Sequence, residues 1–265
     1  MLIPSCHGQE TKMVNSEGAA RAALLLLELG KAGSAGASLL EIAEALGQTK
    51  PTLLRSINSL IDYGFIEQVA RGRYRLGPSI YSLARVESAV LLDVASWRPV
   101  LERLASTFGQ TIYLVRRAGL DVVVIDMQVG SAPVQALTSG IGGRLPMGIG
   151  SGSLAILATL DPEDQETMIS ANAPRYAQWN LTAPVVTEIV KKATVNGHAS
   201  DVGLIIPECG GIGVPIREQG RYIATMSIVL SAPLLFFSQN SIPDVAKEIK
   251  KAIADNLMLY KEGSR

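Results

Sequence analysis

Residues 38–77, SLLEIAEALGQTKPTLLRSINSLIDYGFIEQVARGRYRLG, constrain this 265-residue chain more than any other stretch. Ser38-Leu39-Leu40-Glu41 has the S-x-x-E spacing of a capping box, so a helix starts at Ser38. Leu39, Ile42, Ala43 and Leu46 recur at i, i+3, i+4 and i+7 and give it one apolar stripe. Gly47 ends it, since glycine accepts the left-handed backbone of a C-cap. Thr49 is the expected N-cap of a second helix. Pro51 falls in its first turn, where a missing N–H costs little. Gly64 closes that helix, and 65–69 and 73–76 form a hairpin turning at Ala70-Arg71-Gly72-Arg73. Helix, tight turn, helix and arginine-tipped hairpin, in that order, specify a winged helix-turn-helix.

Such a module lays its second helix in the major groove of double-stranded DNA. Leu53, Ile57, Leu60 and Ile61 share one face of that helix, while Thr52, Arg55, Asn58 and Ser59 project from the opposite side. A guanidinium fork, an amide and hydroxyls are the groups that reach phosphates and base edges. The candidate DNA-binding residues are Thr49, Lys50, Thr52, Arg55, Ser56 and Ser59 on the helix, with Arg71 and Arg73 on the wing. Lys50 lies near the helix N-terminus, whose partial positive charge already favours phosphate.

Composition adds limits. The whole chain carries 24 basic and 24 acidic residues, so DNA affinity has to come from a local patch rather than a diffuse polycation. The two cysteines, Cys6 and Cys209, give no disulfide framework and suit a reducing compartment. The N-terminus lacks the apolar core of a signal peptide. The longest apolar stretch, 222–237, is interrupted by Ser227, Ser231 and Pro233 and falls short of the roughly 20 residues that span a bilayer. These features predict a cytoplasmic protein with no membrane partner.

The expected domains are 16–77, the DNA-binding unit; 78–92, a linker helix; and 93–265, an α+β domain on an antiparallel sheet. A first helix over 16–29 would bury Ala20, Ala23, Leu24 and Leu27, behind a loose tail at 1–15. The linker, with Tyr81, Leu83 and Val86, could pair with a second copy or rest on its own domain. A helix with Val94, Trp97, Leu101, Leu104 and Phe108 on one face ends at Gly109. Strands follow at 111–117 and 122–129, and a third at 134–137. Helices are expected at 151–160, 162–171 and 184–196, a late hairpin at 211–217 and 221–230, and a terminal helix over 243–261.

The chain resembles the IclR family of bacterial transcriptional regulators. The likeness runs through Gly18-Ala19-Ala20-Arg21-Ala22-Ala23-Leu24-Leu25, through Ser38-Leu39-Leu40-Glu41-Ile42-Ala43, through Lys50-Pro51-Thr52-Leu53-Leu54-Arg55 and through the wing's Tyr74-Arg75-Leu76-Gly77. Pro51 stands where the family usually has serine. The likeness continues in residues 144–155, RLPMGIGSGSLA, and in Cys209-Gly210-Gly211-Ile212-Gly213-Val214-Pro215-Ile216 with Ala224-Thr225-Met226-Ser227-Ile228. Two departures stand out: Ser153-Leu154-Ala155 replaces Gly-Lys-Ala, and Glu208 adjoins Cys209 instead of lying further upstream.

The resemblance implies a GAF-like effector domain, a homodimer or dimer of dimers on a palindromic operator, and operator binding modulated by a small metabolite. It implies an effector pocket at Met147, Gly148, Ile149, Gly150, Ser151, Gly152 and Ser153, joined by Cys209, Gly211, Ile212 and Ser227. The glycine-rich loop exposes amides before a helix, a geometry that suits a carboxylate or phosphate and so an organic acid, although glycines also serve simply to let a loop turn. Met147, Ile149 and Ile212 would be its apolar walls.

Two other readings fit parts of the chain. An enzyme would need a catalytic constellation, but the loop lacks the P-loop ending and the Rossmann spacing. Position 149 is isoleucine, so Ser151 is not in a G-x-S-x-G elbow. His7 lies in the tail, which leaves His198 and Cys209 as an isolated pair. No cofactor or metal set is expected. Alternatively, a degenerate helix-turn-helix could serve protein interaction; it would lack the salt-dependent DNA affinity that phosphate contacts impose.

Overall fold

The computed structural model describes residues 17–87, 94–131, 140–218 and 221–263, and the chain divides into two compact units between residues 89 and 90. The expected tail at 1–15, the strand at 134–137 and the end of the linker at 88–92 lie outside the described residues.

The N-terminal unit runs α1 (Glu17–Ala32), β1 (Ala37–Ser38), α2 (Leu39–Leu46), α3 (Lys50–Asp62), β2 (Ile66–Ala70), β3 (Arg73–Leu76) and α4 (Pro78–Glu87). The capping box is formed: the Glu41 N–H donates to Ser38 Oγ at 3.2 Å, and the Ser38 N–H donates to Glu41 Oε2 at 2.6 Å. Those hydrogen bonds, with Arg73 nearby, hold the Glu41 carboxyl below its usual range. Gly47 caps α2 at φ 59°, in the left-handed region. Thr49 occupies the N-cap of α3, but its hydroxyl donates to Thr52 Oγ1 at 2.9 Å rather than accepting from the helix.

Leu25, Leu29, Ile42, Leu53, Ile57, Ile66 and Tyr74 form this unit's core. Burying each large aliphatic side chain there contributes about 1.5–3 kcal/mol. The expected stripe of α1 is therefore corrected. Leu25 and Leu29 face inward, while Leu24 is 51% and Leu27 42% exposed. Four consecutive leucines, 24–27, present an apolar group at every helical angle, so periodicity could not choose the face.

The C-terminal unit begins with a 3-10 turn (Val94–Trp97) and α5 (Arg98–Phe108), capped by Gly109 at φ 66°. It continues with β4 (Thr111–Ala118), β5 (Asp121–Gln128), β6 (Arg144–Pro146), α6 (Ser151–Leu157), α7 (Pro162–Tyr176), α8 (Ala183–Asn196), β7 (Ala199–Ser200), β8 (Cys209–Glu218), β9 (Arg221–Pro233), α9 (Leu234–Gln239) and α10 (Ile242–Gly263). The six strands form one antiparallel sheet in the order β6-β5-β4-β9-β8-β7.

Alternation along the strands separates two cores. Ile112, Leu114, Ile212, Val214, Ile216, Ile228 and Leu230 pack with Trp97, Leu101 and Leu104 before and along α5 and with Val245, Ile249, Ala252 and Ile253 of α10. Tyr113, Val115, Val122, Val124 and Val229 face the other way, toward Leu154 and Leu157 of α6, Met168 and Tyr176 of α7, and Val186 and Val190 of α8. Helix α7 runs five residues past its expected end, with Pro174 inside it. Its last residue, Tyr176, is fully buried, and its hydroxyl donates to the Met147 carbonyl at 2.8 Å.

Candidate functional site

The N-terminal unit sorts its basic side chains into two groups. Arg75 Nε donates to Glu67 Oε1 at 2.6 Å across the β2–β3 pair. Arg73 Nη1 donates to the Gly36 carbonyl at 2.7 Å, with Ala35 O at 3.4 Å and Glu41 Oε2 at 3.5 Å from the same guanidinium. Lys50, Arg55 and Arg71 make no hydrogen bond or ion pair among the described residues, and all three are exposed. Arg73, expected as a wing-tip DNA contact, is engaged as a strut between the wing and the start of α2, and Arg71 is the wing-tip arginine that makes no such contact among the described residues.

On α3, Thr52, Arg55, Ser56 and Ser59 line one depression of about 340 Å³ together with Arg21 of α1. Arg21 was not selected from the sequence as a contact residue. Its Nε is buried without a partner among the described residues, facing a surface of hydroxyls and a second guanidinium. Its place in the Gly18–Leu25 stretch that carries the family resemblance, one turn before Leu25, is the signal that marks it. The Ser59 hydroxyl donates to the Arg55 carbonyl at 3.1 Å. The arrangement offers cations and hydroxyls on an exposed helix face, the chemistry of phosphate and base-edge contact.

The C-terminal unit holds a small cavity of about 40 Å³ between α6 and the sheet. Tyr113, Val115, Val122, Val124, Gly143, Leu145 and Val229 line it, with the segment Ile149–Ser153 and Ser231. The walls are apolar. Ser151 Oγ and Ser231 Oγ are buried with no hydrogen-bond partner among the described residues. Ser153 is internally engaged: its hydroxyl donates to the Ile149 and Gly150 carbonyls and accepts the Gly148 N–H at 3.0 Å.

Close approach builds this corner. A Cβ on Gly152 would lie 2.5 Å from Val229 Cγ2 and 2.8 Å from Val115 Cγ2, and one on Gly213 would run into the Ser151 carbonyl. Ser227 Oγ, from β9, donates to the Gly152 carbonyl at 3.0 Å. Further along, Asp121 is bracketed by Arg144 at 3.1 Å and Arg175 at 2.7 Å, tying β5, β6 and α7 together.

Of the residues expected to form the pocket, Ile149, Gly150, Ser151, Gly152 and Ser153 come together at the cavity. Met147 is buried behind it and Gly148 packs on the Tyr176 ring. Gly211 and Ser227 support the loop without lining the space. Ile212 lies on the opposite face of the sheet, in the α5–α10 core, because side chains alternate and its glycine neighbours take the α6 side. Cys209 is half-buried at the start of β8, paired in register with Pro233, and does not line the cavity.

The sequence reading missed Asp201. It is 2% exposed, and its carboxylate accepts the Ser151 N–H at 2.8 Å on one oxygen and the Gly211 N–H at 2.5 Å on the other. Burial raises its pKa to about 6, against the lowering effect of those two N–H groups and of its own. One of the amides that the glycine loop was expected to offer an incoming anion, that of Ser151, is thus held by the protein's own carboxylate. A lone aspartate in a polar turn carries no sequence signature of such burial.

Comparison with known proteins agrees with both halves. Residues 18–70 match the IclR helix-turn-helix domain, and residues 87–257 match the bacterial transcriptional regulator IclR C-terminal domain. The HTH-type transcriptional regulator Rv1719 of Mycobacterium tuberculosis is 32% identical over 231 residues, 86% of this chain and 87% of that one. The transcriptional repressor IclR of Escherichia coli is 25% identical over 67% of this chain and 66% of its own length. Among solved structures, an IclR transcriptional regulator from Alicyclobacillus acidocaldarius superimposes with a TM-score of 0.70 at 22% identity, covering 92% of this chain and 98% of that one. An IclR homologue from Microbacterium hydrocarbonoxydans, complexed with 4-hydroxybenzoate, gives 0.68 at 22% identity over 91% and 99%. Among the described residues no helix is long and apolar enough to cross a membrane. This chain belongs to the IclR family of bacterial transcriptional regulators, with a helix-turn-helix DNA-binding domain followed by a C-terminal effector-binding domain.

Proposed function

We propose that operator DNA is read by the α3 face, through Thr52, Arg55, Ser56 and Ser59, with Thr49 and Lys50 at the helix start, Arg71 at the wing tip and Arg21 alongside. The observation that carries this reading is the division of the basic residues: Arg73 and Arg75 are consumed by internal partners, while Lys50, Arg55 and Arg71 are exposed without any among the described residues. Self-association supplies the second recognition helix. Leu24 and Leu27 on α1, and Tyr81 and Leu83 on α4, leave large apolar side chains at the surface of this unit, as an interface between copies requires.

The effector of this reading is a small organic acid with an apolar body, held in the cavity beneath α6. Supporting it are the aliphatic and aromatic walls, the two unpartnered hydroxyls of Ser151 and Ser231, and the 4-hydroxybenzoate complex of the Microbacterium homologue. At about 40 Å³ the cavity is far smaller than the roughly 300–1,000 Å³ of a typical small-molecule pocket, so such an acid displaces its lining. A ligand that binds only an opened arrangement shifts the population toward it, which is what regulation requires.

Catalysis is no part of this reading, nor is any cofactor, and the protein acts in the cytoplasm. Burial, reinforced by Glu208, raises the Cys209 thiol pKa, the wrong direction for a nucleophile. His198 Nδ1 lies 3.2 Å from the Asn196 carbonyl, and burial lowers its pKa.

Fluorescence anisotropy of the full chain on the DNA upstream of its own gene, across a salt series, tests the DNA reading. Saturable binding tighter than to random DNA, with a steep salt slope that Arg55→Ala reduces, is the expected result. Binding unchanged by Arg55→Ala would remove the α3 face from the interface.

A further inference from the structure

We propose that Asp201 couples effector binding to proton uptake: an acid that enters the cavity beside Ser151 is accepted together with one solvent proton, which ends on the Asp201 carboxylate and returns to solvent on release. The inference rests on the reading of this cavity as the site of an acidic effector.

An acid bound at Ser151 would bring a second negative charge to the corner that Asp201 already occupies. Ser151 is shared between the cavity, which it lines, and Asp201, which accepts its N–H at 2.8 Å; its buried hydroxyl has no partner among the described residues. Ser151 Oγ and Asp201 Oδ1 both close on the point above Gly211 where a Cβ would sit, at 2.5 and 3.0 Å. A carboxylate hydrogen-bonded to Ser151 Oγ therefore lies a few ångströms from a carboxylate already buried in protein. In such surroundings two neighbouring anions repel strongly, and the favoured response is that one of them binds a proton.

No ion pair relieves Asp201 among the described residues. Helix α6 contributes Ser, Gly, Leu, Ala and Ile residues only. From the groove on the other side of Asp201, Glu188 and Lys192 of α8, His198 before β7, and Lys247 and Lys250 of α10 face the same segment, and none is an ion-pair partner of its carboxylate. Lys250 donates to the Asn196 carbonyl, and Lys192 sits 3.9 Å from Glu188. From the β8 side, Glu208 and Cys209 are the nearest titratable groups in sequence, and neither is paired to Asp201. What holds the carboxylate is backbone N–H dipoles, those of Ser151, Gly211 and Asp201 itself, against almost complete burial, and its pKa of about 6 puts the needed proton within reach of neutral solution.

The test is isothermal titration calorimetry of the full chain with a panel of small aliphatic and aromatic carboxylates, 4-hydroxybenzoate among them, each matched with its uncharged amide. Titrations in two buffers of different ionisation enthalpy count the protons exchanged. The proposal expects a net uptake approaching one proton per acid near pH 7, affinity falling by up to about tenfold per pH unit between pH 6 and 8, and no uptake for any amide that binds. Asp201→Asn should flatten the profile and tighten acid binding at pH 8. Because asparagine cannot accept both N–H groups and that variant could unfold, proton counting on the wild-type protein decides by itself. Infrared difference spectra should show a protonated carboxyl band on acid binding that is lost in Asp201→Asn. An acid that binds with no proton uptake and a flat profile overturns the proposal and leaves the acid site standing. A panel in which no acid binds overturns the acid-effector reading and this inference with it.

Discussion

Arg73 Nη1 donates to the Gly36 carbonyl at 2.7 Å, so the second arginine of the wing points back into its own domain rather than outward. Gly36 has φ 65°, and a Cβ there would run into the Tyr74 carbonyl, so the strut joins two segments already in close contact. Arg71→Ala and Arg73→Ala should then fail differently. Arg71→Ala is expected to weaken DNA binding and lower the salt slope by about 1 while leaving the melting temperature unchanged. Arg73→Ala should destabilise the N-terminal unit by about 1 kcal/mol, the net worth of a typical hydrogen bond. Paired anisotropy and thermal melts separate the two, and equal melting temperatures for both variants would remove the strut.

Gly152 tests the packing that shapes the cavity beneath α6. A methyl group there would lie 2.5 Å from Val229 Cγ2, 2.8 Å from Val115 Cγ2 and 3.2 Å from Ser227 Oγ. Gly152→Ala should therefore cost about 1–3 kcal/mol by overpacking. It should also reduce ligand-induced stabilisation, because Gly152 lines the cavity and the added methyl crowds its walls, Val115 and Val229. Gly72 meets nothing within 4 Å, but its φ of 70° still strains a side chain. Gly72→Ala is thus a control for backbone strain alone, expected to leave the effector response intact. Denaturant melts with and without ligand give both readings.

The two halves of the molecule were unequally legible. The capping box at Ser38 and Glu41, the stop at Gly47 and the wing turn are local chemistry, set within three or four residues, and the structure reproduces them. The buried face of α3 was readable because Leu53 and Ile57 recur four residues apart among polar neighbours. The face of α1 was not, because four leucines in a row carry no phase. In the effector domain the glycine loop announced itself, but the identity of its anion did not. Asp201 is 50 residues from Ser151 in sequence and reaches it only because β7 pairs with β8. Ile212 was placed in the pocket by proximity in sequence to Gly211, and the two-residue period of a strand puts it on the other side.

Tyr176 makes the third prediction. Its hydroxyl donates to the Met147 carbonyl at 2.8 Å, next to the glycine loop, and the side chain is fully buried. Tyr176→Phe keeps the ring and leaves that carbonyl without its donor, which should cost about 1–3 kcal/mol. Burial raises the phenol's pKa from 10.0 to about 12. The folded state keeps this proton while the unfolded chain loses it near pH 10. The contribution of Tyr176 to stability therefore falls as pH rises above 10. Ultraviolet titration of the phenolate should show fewer tyrosines ionising near pH 10 in the folded wild type than after unfolding, and Tyr176→Phe should narrow that gap by one. If all the tyrosines ionise together, the buried bond is absent.

Asp201 makes the last prediction, and its sign is unusual for a carboxylate. Its folded pKa of about 6 lies above the ordinary value of 3.8, chiefly through burial. Above pH 6 both states are ionised, and the folded state bears the full penalty of a buried charge. As pH falls from 6 toward 3.8 the folded state takes up a proton that the unfolded state does not, so this group's share of stability rises. Its full span is about 3 kcal/mol, at 1.36 kcal/mol for each unit of pKa difference. His198 acts in the opposite sense: burial lowers its pKa, so below the unfolded value near 6.5 the unfolded chain gains a proton first and stability is lost. The measurement is accordingly a difference. Denaturant midpoints with Asp201 intact and with Asp201→Asn, both in a His198→Gln background, should be taken from pH 7.5 to 4.5. The protein that keeps the carboxylate should gain stability relative to the Asp201→Asn variant throughout the descent, most steeply below pH 6. A constant difference between the two curves would mean that Asp201 titrates alike in the folded and unfolded chain, and that its burial carries no charge penalty.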